Sequence, residues 1–285
     1  MQSPIIIIGA GRSGTKVLRN MICTHPDLVT WPCDEINPIW RYGHANYPTD
    51  ELEPEHATEK VKDYIRSQFG YILDKYNGSR VVEKTCANSL RVEYVYEIFP
   101  NAQFIHLIRD GRDVAESARR RWTGDVELSY ILKKGRWIPF SELPYYIYHF
   151  FTNRIKRLLD ERDQLKTWGP RFEGIDELAK SKSLIEVCGI QWRQSVTAAR
   201  RGFEEIPSSQ VFNIHYETLA QSPVESFSEL FRFLDLELGD DLKLEVENTV
   251  TDENIGKGVR KLSKEELEKL MPHIEATLRE EGYLE

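Results

Sequence analysis

Short apolar runs alternate with longer stretches of helical periodicity along much of the chain. Ile5–Ile8, Val81–Val82 and Phe104–Ile108 have the length and uniform hydrophobicity of strands buried on both faces, and Val211–Ile214 is a further candidate. Strands that alternate with helices usually form a parallel sheet with helices packed on its two sides. The pattern therefore predicts an α/β fold of three layers around a central parallel sheet, formed by a single domain over residues 1–285.

The most regular helical pattern lies between Thr58 and Tyr76, where apolar residues recur at helical spacing and charged residues occupy the other side. Near the C-terminus, Ser263 and Glu266 have the spacing of a capping box ahead of a second amphipathic stretch. Residues 123–182 interrupt this order with many aromatic side chains and several glycines and prolines. We expect this segment to be a helical, aromatic-rich insertion within the same domain.

Composition narrows the class of protein. The formal net charge of −8 argues against nucleic-acid binding, which relies on dense, exposed Lys and Arg. No apolar run approaches the length of a membrane span, so we expect a cytoplasmic protein without one. The four cysteines lack C-x-x-C spacing, and no His, Cys and carboxylate cluster has the spacing of metal ligands, so the sequence predicts neither a disulfide scaffold nor a metal site.

The segment IGAGRSGTK, residues 8–16, directly follows the first predicted strand. A glycine-rich turn between a strand and a helix directs unpaired backbone N–H groups at a bound anion. Its glycines match the G-x-G-x-x-G pattern of dinucleotide sites, and Asp34 lies about twenty positions on, where such sites bind a ribose hydroxyl. The charged and hydroxyl side chains around the last glycine count against this interpretation, because a backbone approach to pyrophosphate needs few of them.

The same segment also resembles a Walker A loop, since four residues separate Gly9 from Gly14. In a Walker A loop, however, Lys follows the last glycine and Ser or Thr follows the Lys, whereas here Thr15 precedes Lys16. A shift of one residue rotates a helical side chain by about 100°. This order counts against a kinase, although Asp110 after the strand Phe104–Ile108 superficially resembles a magnesium-binding Asp.

A second candidate anion site follows the strand Phe104–Ile108. Arg109 at the end of that strand can donate paired hydrogen bonds to a phosphate, and Ser117, eight residues on in the next helix, can reach the same point. An arginine–aspartate surface network, with Asp113 merely favouring the helix N-terminus, is the alternative explanation.

Together these segments resemble the phosphate-binding sites of sulfotransferases that use 3′-phosphoadenosine 5′-phosphosulfate (PAPS). The first is similar to the family's 5′-phosphosulfate loop, Lys or Arg before Ser-Gly-Thr-Thr, with Lys16 in place of the second Thr. Arg109 and Ser117 resemble the family's pattern of Arg, seven residues and Ser, which binds the 3′-phosphate. ATP and NAD lack that 3′-phosphate, so a second phosphate site disfavours both.

Further segments extend the resemblance over most of the chain. Residues 83–91, EKTCANSLR, resemble the family's E-K-T-P-x-N segment, with Cys86 in place of Pro. Tyr216 begins a segment similar to Y-E-D-L, whose Tyr lies against the adenine, and residues 255–263 resemble the basic loop that closes over the 3′-phosphate, with Gly258 where a Trp is often found. The resemblance implies a P-loop-like fold of the sulfotransferase type and a nucleotide site formed by Gly11, Arg12, Ser13, Gly14, Thr15, Lys16, Arg109, Ser117, Tyr216, Lys257 and Gly258.

Sulfuryl transfer needs in-line geometry and stabilisation of charge on the leaving phosphate. The resemblance implies that Arg12 and Lys84 supply this stabilisation without a metal. The acceptor hydroxyl must also lose a proton to a base. Small-molecule enzymes of the family use a His after the second strand, which this chain lacks, whereas branches acting on protein tyrosine or glycans use a Glu. We therefore expect Glu35 to be the base, with Asp34 as the alternative.

The resemblance as a whole implies a sulfotransferase that moves a sulfuryl group from PAPS to a hydroxyl, or less readily an amine, and releases adenosine 3′,5′-bisphosphate (PAP). We expect the acceptor to be a small molecule, a glycan or a lipid precursor, selected by the insertion at 123–182, which has no clear counterpart in the family. The alternatives are a P-loop nucleotide or small-molecule kinase and a non-catalytic dinucleotide-binding protein.

Overall fold

The computed structural model describes residues 3–122, 136–146, 148 and 169–285. Their centre is a parallel sheet with the strand order β2-β3-β1-β4-β5. The strands are β1 (Ile5–Ile8), β2 (Leu28–Val29), β3 (Arg80–Glu83), β4 (Gln103–Ile108) and β5 (Val211–His215). The parallel sheet and its apolar strands confirm the prediction from the sequence.

Helices connect the strands and cover the sheet. They are α1 (Thr15–Ile22), α2 (Asn37–Trp40), α3 (Glu59–Tyr76), α4 (Val92–Ile98), α5 (Gly111–Trp122), α6 (Ile175–Ser181), α7 (Leu184–Phe203), α8 (Tyr216–Gln221), α9 (Pro223–Phe233), α10 (Asp240–Thr249) and α11 (Lys264–Glu280). A 3₁₀ turn, Cys86–Leu90, follows β3, and another, Asp252–Asn254, follows α10. The predicted capping box is present at α11, where Ser263 Oγ accepts from the Glu266 amide at 3.2 Å.

The core has three layers because successive residues of a strand point to opposite faces of the sheet. Ile6 and Ile8 of β1 pack in one cluster with residues of α3 and α4. Ile5 and Ile7 pack in the other with residues of α1 and α9. A further cluster joins α5, α7 and α11 beside the sheet. The sheet is thus covered on both faces, as the predicted three-layer fold requires.

The strand order determines where a ligand can bind. After β1 the chain forms β2 and β3 on one side of β1, and then crosses to β4 on the other side. In open parallel sheets, such a reversal opens a crevice at the carboxyl ends of the strands. The loops that follow β1, β3 and β4 therefore meet at one edge of the sheet, and they carry many of the residues that the sequence singles out. Glu35 follows β2 instead, and Tyr216 follows β5.

The predicted insertion at 123–182 lies mostly outside the described residues. Among its described residues, Trp137 is buried and its ring contacts that of Tyr71 on α3, with centroids 6.2 Å apart. In the parts of the chain that the structure describes, no helix combines the length and apolar character needed to cross a membrane.

Candidate active site

The loop from Gly9 to Gly14 joins β1 to α1 and packs closely against its neighbours. A Cβ on Gly9 would lie 2.6 Å from the carbonyl oxygen of Leu107, and one on Gly14 would lie 2.6 Å from the ring of Tyr216. Arg12 and Gly14 have positive φ angles of 76° and 95°, in the left-handed region that favours glycine. This backbone turn brings the chain directly into α1, whose first N–H groups have no acceptor within the helix.

Ser13 is the loop residue whose side chain most clearly lacks a partner. It is 1% exposed, and its Oγ has no hydrogen-bond partner among the described residues. A buried hydroxyl in this state costs free energy that a ligand oxygen would recover. The hydroxyl lies directly before the N-terminus of α1, which favours an anion at the same place.

Arg12 connects this loop to the second predicted anion site. Its Nε donates to Ser117 Oγ at 3.0 Å, and its carbonyl oxygen accepts from Arg109 Nη1 at 3.3 Å. Burial, together with the positive charges of Arg121, Arg120 and Arg109, lowers the pKa of Arg12. Cations therefore gather at this point in a chain whose formal net charge is −8, and an anion would relieve their mutual repulsion.

Arg109 lies at the centre of the second site. Its Nη2 donates to the Asn254 carbonyl at 2.6 Å and to Asp113 Oδ2 at 3.3 Å, and its guanidinium lies 4.2 Å from the ring centroid of Tyr216. Its buried Nε has no partner within the described residues. The arginine–aspartate pair considered from the sequence is thus present but buried, and it leaves part of the guanidinium unsatisfied.

The C-terminal loop is held against Arg109 by the carboxylate of Asp113. That carboxylate is 1% exposed and accepts from the backbone amides of Gly256 and Gly258, both at 2.7 Å, and of Val259 at 3.2 Å. A Cβ on Gly258 would lie 2.6 Å from the Asp113 Cα, so this approach requires glycine. Lys257 Nζ donates to Asn254 Oδ1 at 3.2 Å, which keeps this predicted nucleotide contact beside Arg109.

Glu35 and Lys84, two predicted catalytic residues, are paired. Lys84 Nζ donates to Glu35 Oε1 at 3.2 Å, and the Cys86 amide donates to the same oxygen at 3.4 Å. Lys84 is 6% exposed; burial alone would lower its pKa, but Glu35 and neighbouring acidic groups outweigh burial and raise it. Lys84 is therefore charged, and it forms an ion pair with Glu35.

Asp34, the alternative base, is engaged differently. Its carboxylate pairs with Lys16 Nζ at 3.0 Å and with Arg19 Nη2 at 3.5 Å. Burial raises the pKa of Asp34, but the hydrogen bond from Lys16 and the charges of Lys84 and Arg19 lower it by more. Asp34 thus pairs with two cations, whereas Glu35 pairs with Lys84. The pair also gives Lys16 a contact that a Thr could not make.

A buried contact links the first loop to the segment after β3. Thr15 Oγ1 lies 3.8 Å from the Sγ of Cys86. Burial, followed by the charge of Glu35, raises the pKa of the Cys86 thiol to about 12, so the thiol is neutral and a poor nucleophile. Cys86 thus packs between the predicted anion loop and the predicted base.

Two residues that support the site went unrecognised in the sequence. Trp192 of α7 is buried, and its Nε1 donates to the Arg109 carbonyl at 3.0 Å. Glu217 accepts from the Asp110 amide at 3.1 Å and from the hydroxyl of Tyr283 at 2.7 Å, which fixes the turn between β4 and α5. The sequence shows the Trp and the Tyr-Glu pair, but their hydrogen-bond partners lie far away along the chain. No local pattern therefore indicates these contacts.

The structure brings the predicted residues together at one edge of the sheet. Gly11 lies in the first loop directly before Arg12, and the contacts of Thr15 and Lys16 join this loop to the Glu35–Lys84 pair. Arg12, Arg109, Ser117, Tyr216 and the loop containing Lys257 and Gly258 form the other side. Within the described residues, no group of three or more His, Cys, Asp or Glu side chains is arranged to hold a metal ion.

Comparison with known proteins agrees with this geometry. A profile described as "Sulfotransferase family" matches residues 4–165, more than half of the chain. The chain therefore belongs to the sulfotransferase family. It is 29% identical over 125 residues to the protein-tyrosine sulfotransferase of Drosophila melanogaster, a match that covers 41% of this chain and 25% of that protein. The chain thus spans only a minor part of this curated relative.

Solved structures show the same fold. A sulfotransferase domain from the curacin biosynthetic pathway has a TM-score of 0.56 and 14% identity, over 96% of this chain and 98% of that one. A mouse sulfotransferase complexed with PAP has a TM-score of 0.51 and 12% identity, over 98% of this chain and 85% of that one. At these identities the likeness establishes the fold alone, a P-loop-like fold of the sulfotransferase type.

Proposed function

We propose that this protein transfers a sulfuryl group from PAPS to a hydroxyl group and releases PAP. The observation that carries the proposal is the hydrogen bond from Arg12 to Ser117, together with that from Arg109 to the Arg12 carbonyl. These bonds join two candidate anion sites, one at the N-terminus of α1 and one at the end of β4. A nucleotide with phosphates at both the 5′ and the 3′ position of one adenosine has the matching charge distribution.

The residues that would hold the nucleotide are those that the fold brings together at the carboxyl ends of the strands. Ser13, with its unpartnered buried hydroxyl, and the N-terminus of α1 would bind the 5′-phosphosulfate, assisted by Gly11, Gly14, Thr15 and Lys16. Arg109, Ser117 and Lys257 would bind the 3′-phosphate, with Gly258 allowing the loop to approach. Tyr216, which touches Gly14 and stacks with Arg109, would lie against the adenine.

The roles proposed for the catalytic side chains are based on their charge and on their ion-pair partners. PAPS supplies the sulfuryl group when it is bound. Arg12 and Lys84 would stabilise the negative charge left on the 5′-phosphate. Glu35, which pairs with Lys84 at 3.2 Å, would accept the proton of the acceptor hydroxyl.

We infer that the acceptor is a small molecule, a glycan or a lipid precursor. The similarity to a protein-tyrosine sulfotransferase adds a phenolic hydroxyl to these candidates. The segment 123–182 would select among them within a single domain spanning residues 1–285. The kinase alternative is weakened by Asp110, whose carboxylate is occupied by Arg112 at 2.6 Å rather than open to magnesium.

Thermal denaturation in the presence of PAP, of ATP with magnesium and of NAD separates the candidate functions. We expect PAP to raise the midpoint most, since stabilisation grows with ligand concentration relative to its Kd. Inorganic sulfate at the same ionic strength serves as a control for a general anion effect. Stabilisation by ATP with magnesium or by NAD, and not by PAP, would overturn the proposal.

A further inference from the structure

Glu83, the last residue of β3, is a buried carboxylate without a role in the chemistry proposed above. It is 1% exposed and directly precedes Lys84, whose side chain pairs with Glu35. Burying a carboxylate is costly unless hydrogen bonds compensate for the lost water. The hydrogen-bond partners of Glu83 therefore show which part of the structure this buried carboxylate holds in place.

One carboxylate oxygen of Glu83 acts through Thr85. The Thr85 hydroxyl donates to Glu83 Oε1 at 2.6 Å and accepts from the backbone amide of Ile36 at 3.1 Å. Ile36 immediately follows Glu35 in the chain. This arm of the carboxylate therefore fixes the backbone beside the proposed base, on a separate element of the fold.

The other oxygen acts through Asn88 and Arg91. Asn88 Nδ2 donates to Glu83 Oε2 at 3.0 Å, and Asn88 Oδ1 accepts from Arg91 Nε at 2.9 Å. Arg91 Nη2 in turn donates to Asn37 Oδ1 at 2.5 Å. The two arms thus end on consecutive residues, Ile36 and Asn37, directly after Glu35.

We propose that Glu83 is a positioning residue that holds the segment carrying Glu35 in place through two hydrogen-bond arms, Thr85 and Asn88–Arg91. The proposal rests on the proposed function for the role of Glu35 as the base. Glu83 itself does not touch the reacting groups. Because both arms start on one carboxylate, the position of the base depends on whether that carboxylate is ionised.

The arms require the ionised form of Glu83. Arg91 can only donate, so the Asn88 oxygen faces Arg91 and the Asn88 amide must donate to Glu83. With Ile36 donating to Thr85, the Thr85 hydrogen is also directed at Glu83. A protonated Glu83 would reverse one bond and leave the buried Thr85 hydrogen without an acceptor, so protonation loosens an arm.

The pH range of this effect follows from the surroundings of Glu83. Burial raises its pKa to about 7, while hydrogen bonds and neighbouring positive charge oppose the rise. The groups that face it are Thr85, Trp40, Lys84, Glu35, Asn88 and Arg91. Both arms are therefore complete above about pH 7, and the Thr85 arm loosens as the pH falls below it.

Hydrogen exchange of the Ile36 amide tests the first arm without requiring activity. Corrected for intrinsic rates, this amide should exchange about tenfold faster in Thr85→Val than in the wild type, because its acceptor is lost. Thr85→Ser, which keeps the hydroxyl, should restore protection. Ser89→Ala is the matched control: it removes a buried hydroxyl from the same turn, bound to the Cys86 carbonyl at 2.7 Å, and should leave the Ile36 amide protected.

Glu83→Gln tests whether the charge matters. It should speed exchange of the Ile36 amide at about pH 8 to the rate of the wild type at about pH 6, and it should abolish the difference between the two pH values. PAPS turnover should fall about tenfold in Glu83→Gln and Thr85→Val, while the Kd for PAP changes by less than about threefold.

Unchanged exchange in Thr85→Val, or equal acceleration in Ser89→Ala, would overturn the positioning role. Absence of PAP binding by the wild-type protein would instead overturn the proposed function, and the exchange result would still decide whether the arms hold this segment. Weaker PAP binding in Glu83→Gln at unchanged turnover would also contradict the proposal, because it would place Glu83 in nucleotide binding.

Discussion

The two sides of the site handle charge in opposite ways. On the nucleotide side, Arg12, Arg109 and their neighbours gather positive charge, and the buried Ser13 Oγ and Arg109 Nε lack partners within the described chain. On the base side, Glu35 is paired with Lys84, and Asp34 with Lys16 and Arg19. The first side has buried polar atoms that a ligand could bind, whereas the carboxylates of the second side are paired within the protein. Substitutions on the first side should therefore affect binding, and substitutions on the second side should affect turnover.

The largest effect is expected on the base side. Glu35→Ala should lower PAPS turnover about 1000-fold, since a positioned general base contributes about 10²–10⁴-fold. The Kd for PAP, measured by calorimetry, should stay within about threefold of the wild type, because the variant keeps Lys84 and every residue proposed to bind the nucleotide. Asp34→Ala is the control; if it lowers turnover more than Glu35→Ala, the assignment of the base is reversed.

A smaller effect, on binding, is expected from Arg109→Ala. Loss of charge-assisted hydrogen bonds should weaken PAP binding about 100-fold, and high salt should narrow the difference from the wild type. Arg112→Ala removes an arginine of the same turn that is occupied with Asp110, and it should change the Kd by less than about threefold. Equal losses in both variants would mean that the turn, rather than the Arg109 guanidinium, determines binding.

The smallest effect is expected from Gly258→Ala. Its Cβ would meet the Asp113 Cα at 2.6 Å, so the loop must move away from Arg109, and we expect about tenfold weaker PAP binding with turnover at saturating PAPS nearly unchanged. Gly239→Ala, at a position with no atom within 4 Å of the added Cβ, is the matched control and should behave as the wild type. If turnover at saturating PAPS falls instead, this loop contributes to catalysis and not only to nucleotide binding.

The elements that could be predicted from the sequence are those with one simple pattern. β1 and β4 are continuous apolar runs, and the pattern at 58–76 became α3, with Val61, Ile65, Phe69 and Ile72 on its buried face. The 20-residue helix α7 was not predicted, because small and polar residues such as Gly189, Gln191 and Ser195 on its buried side weaken the apolar pattern. Its capping box, Ser183 with Glu186, was the available signal.

The same contrast holds for the site. Loops that bind phosphate after a strand have a local pattern, so Arg12, Arg109 and Ser117 could be found from spacing and resemblance. Partners that are distant in sequence have no such pattern: Asp113 contacts amides about 145 residues away, and Lys84 lies 49 residues from Glu35. From the sequence, Asp113 has the appearance of an ordinary acidic residue at a helix N-terminus. Tertiary packing alone gives it a second function.

Asp113 has a consequence for the rate at which the proposed nucleotide would bind. A carboxylate of the protein already fills the anion-binding nest formed by the amides of Gly256, Gly258 and Val259, so these amides are not free to bind a phosphate. The loop is preassembled around an internal anion and need not be ordered by the incoming nucleotide. Association should then be limited by encounter rather than by folding of a lid, with a rate that falls as salt screens the surrounding arginines.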